Sequence, residues 1–321
     1  MSFTPWKQLP DRMKLLILST EFPPGPGGIG THAYELASGL QSLGWQVAVI
    51  APQDYVTEAE RVMFNDQLPF AVNTLANGSV ARRLRQIWKT LRQTRPDLLI
   101  ATGSRSLWAA MLLCPLLGIP WLAIGHGTEF KKSGRLVRFL TRQAVRRADQ
   151  MVAVSRYTAR LVADERPNPI PVIPNGADAK RFRPDLPTAP LRHELGLDGR
   201  QILLTVGHVS ERKAQDIVIR ALPAVLTQCP DAVYLVAGLP TRQAALQKLA
   251  TELHVAEHVI FAGMVPPEQL PTYFNLCDLF ILVSREARQG DLEGYGIVVV
   301  EAALCGKTAI VSDHGGLPEA V

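Results

Sequence analysis

The chain has 321 residues, of which 47% are hydrophobic and 20% are charged, and this is the composition of a globular protein. It excludes a disordered, collagen-like or coiled-coil chain, and the length indicates about two domains. The net charge of +5 comes from two stretches, 81–96 and 131–147, which hold six and seven Lys or Arg and no acidic residue. Because the rest of the chain has more acidic than basic residues, any anionic partner is expected to bind the first half of the chain.

The cysteines indicate the compartment. They are scattered without disulfide or metal-ligand spacing, at Cys114, Cys229, Cys277 and Cys305. This pattern predicts buried thiols in a reducing cytosol, and the first apolar run, Leu15–Leu18, is too short for a signal peptide. The sequence therefore predicts a cytoplasmic protein.

One uncharged stretch is long enough to cross a bilayer. Residues 106–128 contain no Lys, Arg, Asp or Glu. Because Pro115, Gly118 and Pro120 interrupt it, we predict a buried helix over 106–117, a turn, and a core strand over 121–124.

Short apolar runs alternate with helical patterns along the whole chain. In the first half, strands are predicted at 14–19, 46–50, 98–101, 121–124, 150–154 and 171–173, with a helix over 31–43. In the second half, strands are predicted at 201–206, 232–237, 259–262, 279–283 and 308–312, with a helix over 214–227. Such alternation predicts parallel sheets covered by helices on both faces.

A segment rich in proline and charge, 181–199, separates the two series. We predict an α/β fold with two doubly wound Rossmann-like domains, 1–185 and 186–321, that face a cleft at the carboxyl ends of the strands. Residues 317–321 have the pattern of a helix that has just begun. The second domain is therefore expected to be truncated at its C-terminus.

The first glycine motif is Gly25-x-Gly27-x-x-Gly30, which follows a strand and opens a helix. This is dinucleotide spacing, but no acidic residue ends the second strand, where one would hold a ribose. Two interpretations remain open: a tight turn, or backbone N–H groups at a helix N-terminus that approach a phosphate.

Two polar groups follow predicted strands. His126 lies where a core strand ends, and it is either a structural histidine or one that points into the cleft. Lys213 follows the first strand of the second domain, six residues after Gly207, and opens the next helix. It is either a solvated surface lysine or a cation aimed at a phosphate.

The most informative pattern is Glu293-Gly-Tyr-Gly-Ile, followed by an apolar helix that contains Glu301. A carboxylate, two glycines and a new helix form a loop whose N–H groups can receive an anion. Glu301 needs hydrogen-bond donors beside an apolar run, and sugar hydroxyls would supply them. The sequence contains no Asp-x-Asp pair and no His/Cys cluster with metal spacing, so a diphosphate would be neutralised by basic side chains and backbone dipoles.

Together these segments resemble the retaining glycosyltransferases of family 4, which have the GT-B fold. The resemblance covers nearly the whole chain, and its pieces are PPGPGGIGTHAYELASGL (23–40), HGTE (126–129), ADQMVAVS (148–155), VIPNGAD (172–178), VGHVSERKAQD (206–216) and EGYGIVVVEAALCGKTAIVSDHGGLPEAV (293–321). The last piece contains the Glu-x7-Glu motif of the family and the GG-x-PE-x-V that follows it.

The resemblance implies a nucleotide-sugar site on the second domain. Glu301 matches the carboxylate that holds the ribose hydroxyls, and Glu293 matches the one beside the donor sugar. Lys213 matches the diphosphate-binding lysine. The base would lie against the backbone near Met264 and Val265. Sugar hydroxyls and phosphate would meet the backbone N–H groups of Gly294, Tyr295, Gly296 and Ile297.

The first domain would bind the acceptor. Gly28 matches the glycine that faces the β-phosphate, and His126 matches the histidine beside the transferred sugar. The implied catalytic residues are therefore His126, Lys213 and Glu293, with no metal and no cofactor other than the donor substrate.

The sequence departs from the family at two positions. The residue five before the lysine is usually Arg and is His208 here, and the residue after it is usually Gly and is Ala214 here. His208 is still predicted to bind the donor and to help stabilise the departing diphosphate. Because a neutral histidine provides one cation fewer, donor affinity is expected to depend on pH.

The resulting functional prediction is a metal-independent, retaining transferase that moves a hexosyl group from a nucleoside-diphosphate sugar to a glycan or lipid-linked acceptor. In the front-face mechanism proposed for the family, a phosphate oxygen of the leaving group deprotonates the acceptor hydroxyl. The alternatives are a sugar-nucleotide 2-epimerase of the same fold, a nicotinamide oxidoreductase that uses the Gly25–Gly30 loop, and a truncated chain that binds nucleotide sugar with little or no turnover. No nucleic-acid partner is expected.

The basic stretches suggest a further partner. Leu84, Ile87, Trp88 and Leu91 share one face of a predicted helix in 81–96, with basic residues around them. This face either packs on its own sheet or meets an anionic membrane surface together with 131–147. The second possibility predicts a peripheral protein on the inner face of the membrane.

Overall fold

The computed structural model describes residues 13–131, 134–288 and 290–321, and its contacts divide the chain into two units. The first unit contains the described residues up to Val154 together with Ala159–Ile173, and the second contains Ser155–Thr158 and Pro174–Val321. This division falls earlier in the chain than the boundary predicted at residue 185.

The first unit is built on a six-stranded parallel sheet in the order β3-β2-β1-β4-β5-β6. The strands are β1 Lys14–Ser19, β2 Gln46–Ala51, β3 Ala71–Thr74, β4 Leu98–Thr102, β5 Trp121–Gly125 and β6 Gln150–Ala153. The helices are α1 Gly28–Ser42, α2 Glu58–Asp66, α3 Val80–Thr94, α4 Ser104–Leu117, α5 Thr128–Lys131 and α6 Arg135–Arg147, with a 3-10 turn at Ala163–Glu165. The short helix α7, Arg156–Arg160, begins in the second unit and ends in the first.

The second unit is built on a five-stranded parallel sheet in the order β11-β10-β7-β8-β9. Its strands are β7 Gln201–Val206, β8 Ala232–Ala237, β9 Val259–Gly263, β10 Leu279–Leu282 and β11 Ala309–Val311. Its helices are α8 Ala189–Glu194, α9 Gln215–Leu226, α10 Gln243–Glu252, α11 Leu270–Leu276 and α12 Ile297–Leu304, with 3-10 turns at Ala256–His258, Pro267–Gln269 and Leu317–Glu319. The predicted fold class, two doubly wound α/β units, is confirmed.

The sheet of the second unit is covered on both faces. Leu204 and Leu235 belong to one core cluster, whereas Tyr234 and Val236 belong to another. Alternate residues of a strand point to opposite faces, so two separate cores are what a doubly wound sheet requires.

The prediction of a strand over 171–173 was wrong. Only one bridge forms there, between Ala153 and Val172. Pro171 and Pro174 bracket this segment and have no N–H to donate, so pairing stops after one residue. The sequence patterns also missed α2 and β3. No residue of α2 is buried, and the four residues of β3 are at most half-buried, so neither contains a buried apolar run.

The uncharged stretch 106–128 forms a helix and a strand, as predicted. Leu107, Ala110 and Leu113 of α4 are buried in the first core, and β5 follows after the turn at Gly118. Across the described ranges, no helix is both long and apolar enough to span a bilayer. All four cysteines are free thiols, and three of them are buried.

The apolar face of α3 packs on its own sheet. Ile87 and Leu91 are buried in the first core, and Leu84 and Trp88 pack against the same cluster. Much of this face is therefore covered by the core, and the contact of α3 with an anionic membrane surface stays a prediction. The basic side chains Arg82, Arg85, Lys89 and Arg92 are exposed on the same helix.

An acidic residue from outside the second basic stretch neutralises part of it. The buried Glu165 carboxylate lies 3.2 Å from Arg142 Nε and 2.6 Å from Arg146 Nε on α6. Two of the positive charges in 131–147 thus have a structural partner, which the local sequence did not reveal.

Candidate functional site

Lys213 and Glu293 meet at the carboxyl end of the second sheet. Lys213 lies in the loop after β7, and Glu293 lies in the loop after β10. The Lys213 Nζ is 2.7 Å from Glu293 Oε2, and only 8% and 13% of the two side chains are exposed. The pair forms because β10 lies beside β7 in the parallel sheet, so both loops leave the same edge.

Arg212 joins this pair. Its Nη1 donates to the same Glu293 oxygen that Lys213 contacts, and its Nε lies 3.1 Å from Asp291 Oδ2. Ser284 Oγ is a weaker donor to Glu293 Oε2, at 3.4 Å. Neither Arg212 nor Asp291 was predicted from the sequence. The only local signal was a second basic residue directly before Lys213.

The ion cluster of Arg212, Lys213, Asp291 and Glu293 shifts the pKa values of its members. Burial alone would raise the pKa of Glu293, but Arg212 and Lys213 outweigh it and lower that pKa to about 2. Burial lowers the pKa of Lys213, and Glu293 opposes this shift. For Arg212, burial is outweighed by Glu293 and Asp291, and its pKa is raised. Glu293 is therefore a carboxylate at neutral pH.

The loop backbone allows Lys213 to reach inward. Gly207 has φ +140°, and a Cβ there would lie 3.0 Å from Lys213 Cε, so the lysine stem passes directly over this glycine. Ala214 adopts φ +53° in the left-handed region, which favours glycine. Arg285 holds the backbone of the same loop at Arg212. Its backbone N–H donates to Arg212 O at 2.8 Å, and its guanidinium binds Asp216 at 2.8 and 3.1 Å.

His208 borders the ion cluster without being charged. Burial, Arg212 and Lys213 lower its pKa, and Asp291 only partly opposes them. Its Nε2 is hydrogen-bonded to Thr241 Oγ1. At neutral pH, His208 therefore supplies no positive charge where the family usually has arginine.

The Gly315-Gly316 pair holds the segment that contains Glu293. Gly316 N donates to Glu293 O at 2.9 Å, and Ser155 Oγ donates to Gly294 O at 2.8 Å. A Cβ on Gly315 or Gly316 would collide with the carbonyl oxygens of Glu293 and Gly294. The GG-x-PE motif is thus a backbone support for the first carboxylate of the Glu-x7-Glu motif.

Glu319 completes this support. Its carboxylate accepts hydrogen bonds from Arg156 N at 2.7 Å and Tyr157 N at 2.8 Å, the first residues of α7. This carboxylate at the start of a helix also interacts favourably with the helix dipole.

The remaining predicted donor-site residues lie around this loop. Gly294, Tyr295 and Gly296 are buried, and Ile297 begins α12. Glu301 lies one turn further and is 5% exposed. Val265 follows β9 and is half-buried, beside the 44% exposed Met264. Their predicted contacts with a nucleotide sugar stay predictions.

In the first unit, His126 is held in a buried polar group at the end of β5. Its Nε2 lies 2.6 Å from Thr102 Oγ1, and its backbone N–H donates to the buried Glu129 carboxylate at 2.8 Å. The ring of His32 on α1 contacts the His126 ring edge-on, with 4.8 Å between the centroids.

Both histidines are neutral at physiological pH. Burial lowers the pKa of His32 to about 4, and burial together with His32 lowers that of His126 well below its usual value. His126 can therefore act as a hydrogen-bonding group in its predicted role, but not as a cation.

Gly28 begins α1, with open space where a side chain would lie. The next two N–H groups, of Ile29 and Gly30, donate to Glu21 Oε1 at 2.8 and 3.0 Å. An internal carboxylate thus occupies part of the helix N-terminus at which we predicted a phosphate.

Two family models match successive parts of the chain. The model described as Glycosyltransferase Family 4 matches residues 26–181, and the one described as Glycosyl transferases group 1 matches residues 189–321. The chain belongs to glycosyltransferase family 4.

Among the relatives of this family-4 glycosyltransferase is the GDP-mannose-dependent α-(1-6)-phosphatidylinositol monomannoside mannosyltransferase of Mycolicibacterium smegmatis. It is 30% identical over 329 residues, which cover 96% of this chain and 82% of the relative. A glycogen synthase of Mycobacterium tuberculosis is 29% identical, over 96% of this chain and 80% of its own length. These are transferases, and they give no support to the epimerase alternative.

Solved structures agree on the fold. Alr3699/HepE of Anabaena, in complex with UDP-glucose, superimposes with a TM-score of 0.80 at 22% identity, over 96% of this chain and 83% of that one. WaaG, a glycosyltransferase involved in lipopolysaccharide biosynthesis, superimposes with a TM-score of 0.70 at 16% identity, over 95% of this chain and 82% of that one. The predicted GT-B fold and glycosyltransferase class are confirmed.

Proposed function

We propose that this enzyme is a retaining, metal-independent hexosyltransferase that takes its sugar from a nucleoside-diphosphate donor bound to the second unit. The observation that supports the proposal is the buried contact of Lys213 with Glu293 at the carboxyl end of β7 and β10. A fixed cation beside a carboxylate is the arrangement that a diphosphate and the hexose attached to it require.

The proposal gives each residue of the second-unit site a role. Lys213 stabilises the charge that develops on the leaving diphosphate, while Glu293 and the N–H groups of Gly294–Ile297 hold the hexose and phosphate. Glu301 accepts hydrogen bonds from the ribose, and Val265 borders the base. In a front-face reaction, the acceptor oxygen bonds to the anomeric carbon while the bond between that carbon and the donor phosphate oxygen breaks. The acceptor proton passes to a phosphate oxygen of the leaving group.

The acceptor belongs to the first unit in this proposal, with His126 beside the transferred sugar and Gly28 facing the β-phosphate. A lipid-linked or glycan acceptor is supported by the relatives, whose names include a phosphatidylinositol monomannoside mannosyltransferase and a glycogen synthase. GDP-mannose is the first donor to test for the same reason.

Donor binding is tested by thermal stabilisation with GDP-mannose, UDP-glucose and ADP-glucose. At least one should raise the melting temperature, by an amount that grows with concentration. Glu301→Ala should weaken that binding about 10–100-fold, because a charged acceptor for the ribose hydroxyls is lost. Glu252→Ala, at a largely exposed position of α10, is the matched control and should bind normally. Equal binding by Glu301→Ala and the wild type would place the ribose elsewhere.

The reaction is tested by NMR of the product. The anomeric configuration of the donor should be retained, and EDTA should not lower turnover. An inverted product or a strict need for Mg²⁺ or Mn²⁺ would contradict the proposal. An epimerised nucleotide sugar without transfer would favour the epimerase, and donor binding without turnover would favour a binding protein.

A peripheral membrane role is proposed for the basic side chains of α3 and α6. Arg82, Arg85 and Lys89 are exposed on α3, whereas the Arg83 guanidinium is bonded to Ala76 O and Asn77 Oδ1. Since the apolar face of α3 is covered, this binding would be mainly electrostatic and would fall steeply with salt.

Sedimentation with liposomes tests this role. Binding is expected with phosphatidylserine-containing vesicles and not with phosphatidylcholine alone. Changing Arg82, Arg85 and Lys89 to Ser should weaken it more than tenfold, because each cation contributes about 1 kcal/mol at an anionic surface. Arg220→Ser, on the exposed side of α9 in the second unit, is the control. Equal binding to both vesicle types would favour a soluble acceptor.

A further inference from the structure

We propose that Arg212 binds the donor diphosphate and replaces the cation that His208 does not supply. This inference rests on the proposed function and adds a residue to the site. Arg212 is the natural candidate because its guanidinium lies in the same ion cluster as Lys213, and 18% of its side chain is exposed.

The charges of the ion cluster make a second cation necessary. Asp291 and Glu293 are two carboxylates, and Lys213 alone would leave their group with a net negative charge. A diphosphate carries at least two negative charges and would be repelled by such a group. Arg212 brings the cluster to neutrality, so an incoming diphosphate meets two cations whose own carboxylates are already in place.

The geometry leaves both cations able to bind a ligand. Arg212 uses Nε for Asp291 and Nη1 for Glu293, and a guanidinium has five N–H donors. Lys213 contacts Glu293 through one of the three protons on its ammonium group. Phosphate oxygens suit the fork of an arginine, so donors remain on both residues for the diphosphate.

His208 is the position at which the proposal can be tested by rescue. It lies in the same loop between β7 and α9 as Arg212 and Lys213, so a cation placed there would enter the same electrostatic environment. If Arg212 binds the diphosphate in place of an arginine at position 208, then His208→Arg should change diphosphate binding little in the wild type. The same substitution should strengthen diphosphate binding strongly when Arg212 is absent.

The experiment is a double-mutant cycle of wild type, Arg212→Ala, His208→Arg and the double variant. Binding of UDP, GDP and ADP is measured by calorimetry, and kcat and KM are measured with the best donor. Arg212→Ala should weaken nucleoside diphosphate binding about 10–100-fold, the range for a lost charge-assisted hydrogen bond. The double variant should recover at least tenfold of that loss, and His208→Arg alone should improve binding less than threefold.

Controls separate binding from folding. Arg220→Ala removes an exposed arginine of α9 and should bind all three nucleotides normally. Should Arg212→Ala fail to fold, Arg212→Gln, which keeps the length and polarity, takes its place in the cycle.

The outcomes separate this inference from the proposed function. If the wild type binds none of the three nucleotides, both are overturned. If the wild type binds and Arg212→Ala binds equally well, only the role of Arg212 is overturned. A loss in Arg212→Ala that His208→Arg does not recover would likewise overturn it, because Arg212 would then act only in holding Glu293.

Discussion

Replacing Lys213 with alanine is expected to lower kcat by about 10²–10³-fold, the usual effect of removing one preorganised charge from a developing anion. Lys213 is buried, and its ammonium group is fixed by Glu293 at 2.7 Å, so no solvent reorganisation is needed when the leaving group gains charge. The fall in kcat should exceed the rise in KM for the donor. Single-turnover kinetics with saturating donor would measure it.

Lys248→Ala is the matched control for this variant. Lys248 lies on α10, with 79% of its side chain exposed, so its removal should leave kcat unchanged. Circular dichroism should show that both variants are folded. Wild-type kcat in folded Lys213→Ala would mean that another group carries the leaving-group charge.

Replacing Glu293 with glutamine is expected to lower the free energy of unfolding of the second unit by about 3 kcal/mol at pH 7. Without this carboxylate, the buried Lys213 loses its ion pair and Arg212 retains only Asp291. The same variant should lower turnover more than nucleotide binding, because Glu293 is proposed to hold the hexose. Glu257→Gln is the control, since 85% of that side chain is exposed.

The stabilisation by Glu293 should depend on pH with a definite sign. Its pKa is about 2 in the folded chain against an ordinary value of 4.5, and a carboxyl with a lowered folded pKa stabilises the fold above its unfolded pKa. The difference between wild type and Glu293→Gln should therefore be complete at neutral pH, shrink below about pH 4.5 and vanish near pH 2.

Calorimetry at several pH values would measure this difference. Tryptophan fluorescence would report unfolding of the first unit for comparison. All tryptophans in the described ranges belong to that unit, namely Trp45, Trp88, Trp108 and Trp121. The calorimetric transition of the second unit should shift more than the fluorescence transition. A difference that stayed constant from pH 7 to pH 3 would show that Glu293 is not the group with the lowered pKa.

Much of the fold could be predicted because its strands are short apolar runs with clear ends. The bounds predicted for β1, β7 and β8 agree with the structure at every residue. Such runs are buried on both faces of a parallel sheet, so every residue contributes to the pattern. Where burial is weak, as in α2 and β3, the local pattern was too faint to identify an element.

The site could be predicted only in part, for a different reason. Lys213, Glu293 and Glu301 were predicted from their positions after apolar strands and from family motifs, both of which are local in sequence. Arg212 and Asp291 were missed because neither stands out until the two loops come together. The role of Glu165 was missed for the same reason, because it pairs with Arg142 and Arg146 from outside the basic stretch.

The sequence by itself determined the two series of alternating strands and helices, and the charged residues that follow particular strands. Only the tertiary structure decided which charges meet. The strand order β11-β10-β7-β8-β9 sets β10 beside β7 and brings Glu293 to Arg212 and Lys213, residues far apart in the chain. The strength of a charge interaction, and hence the pKa of each group, depends on separation and burial, and both exist only once the sheet has formed.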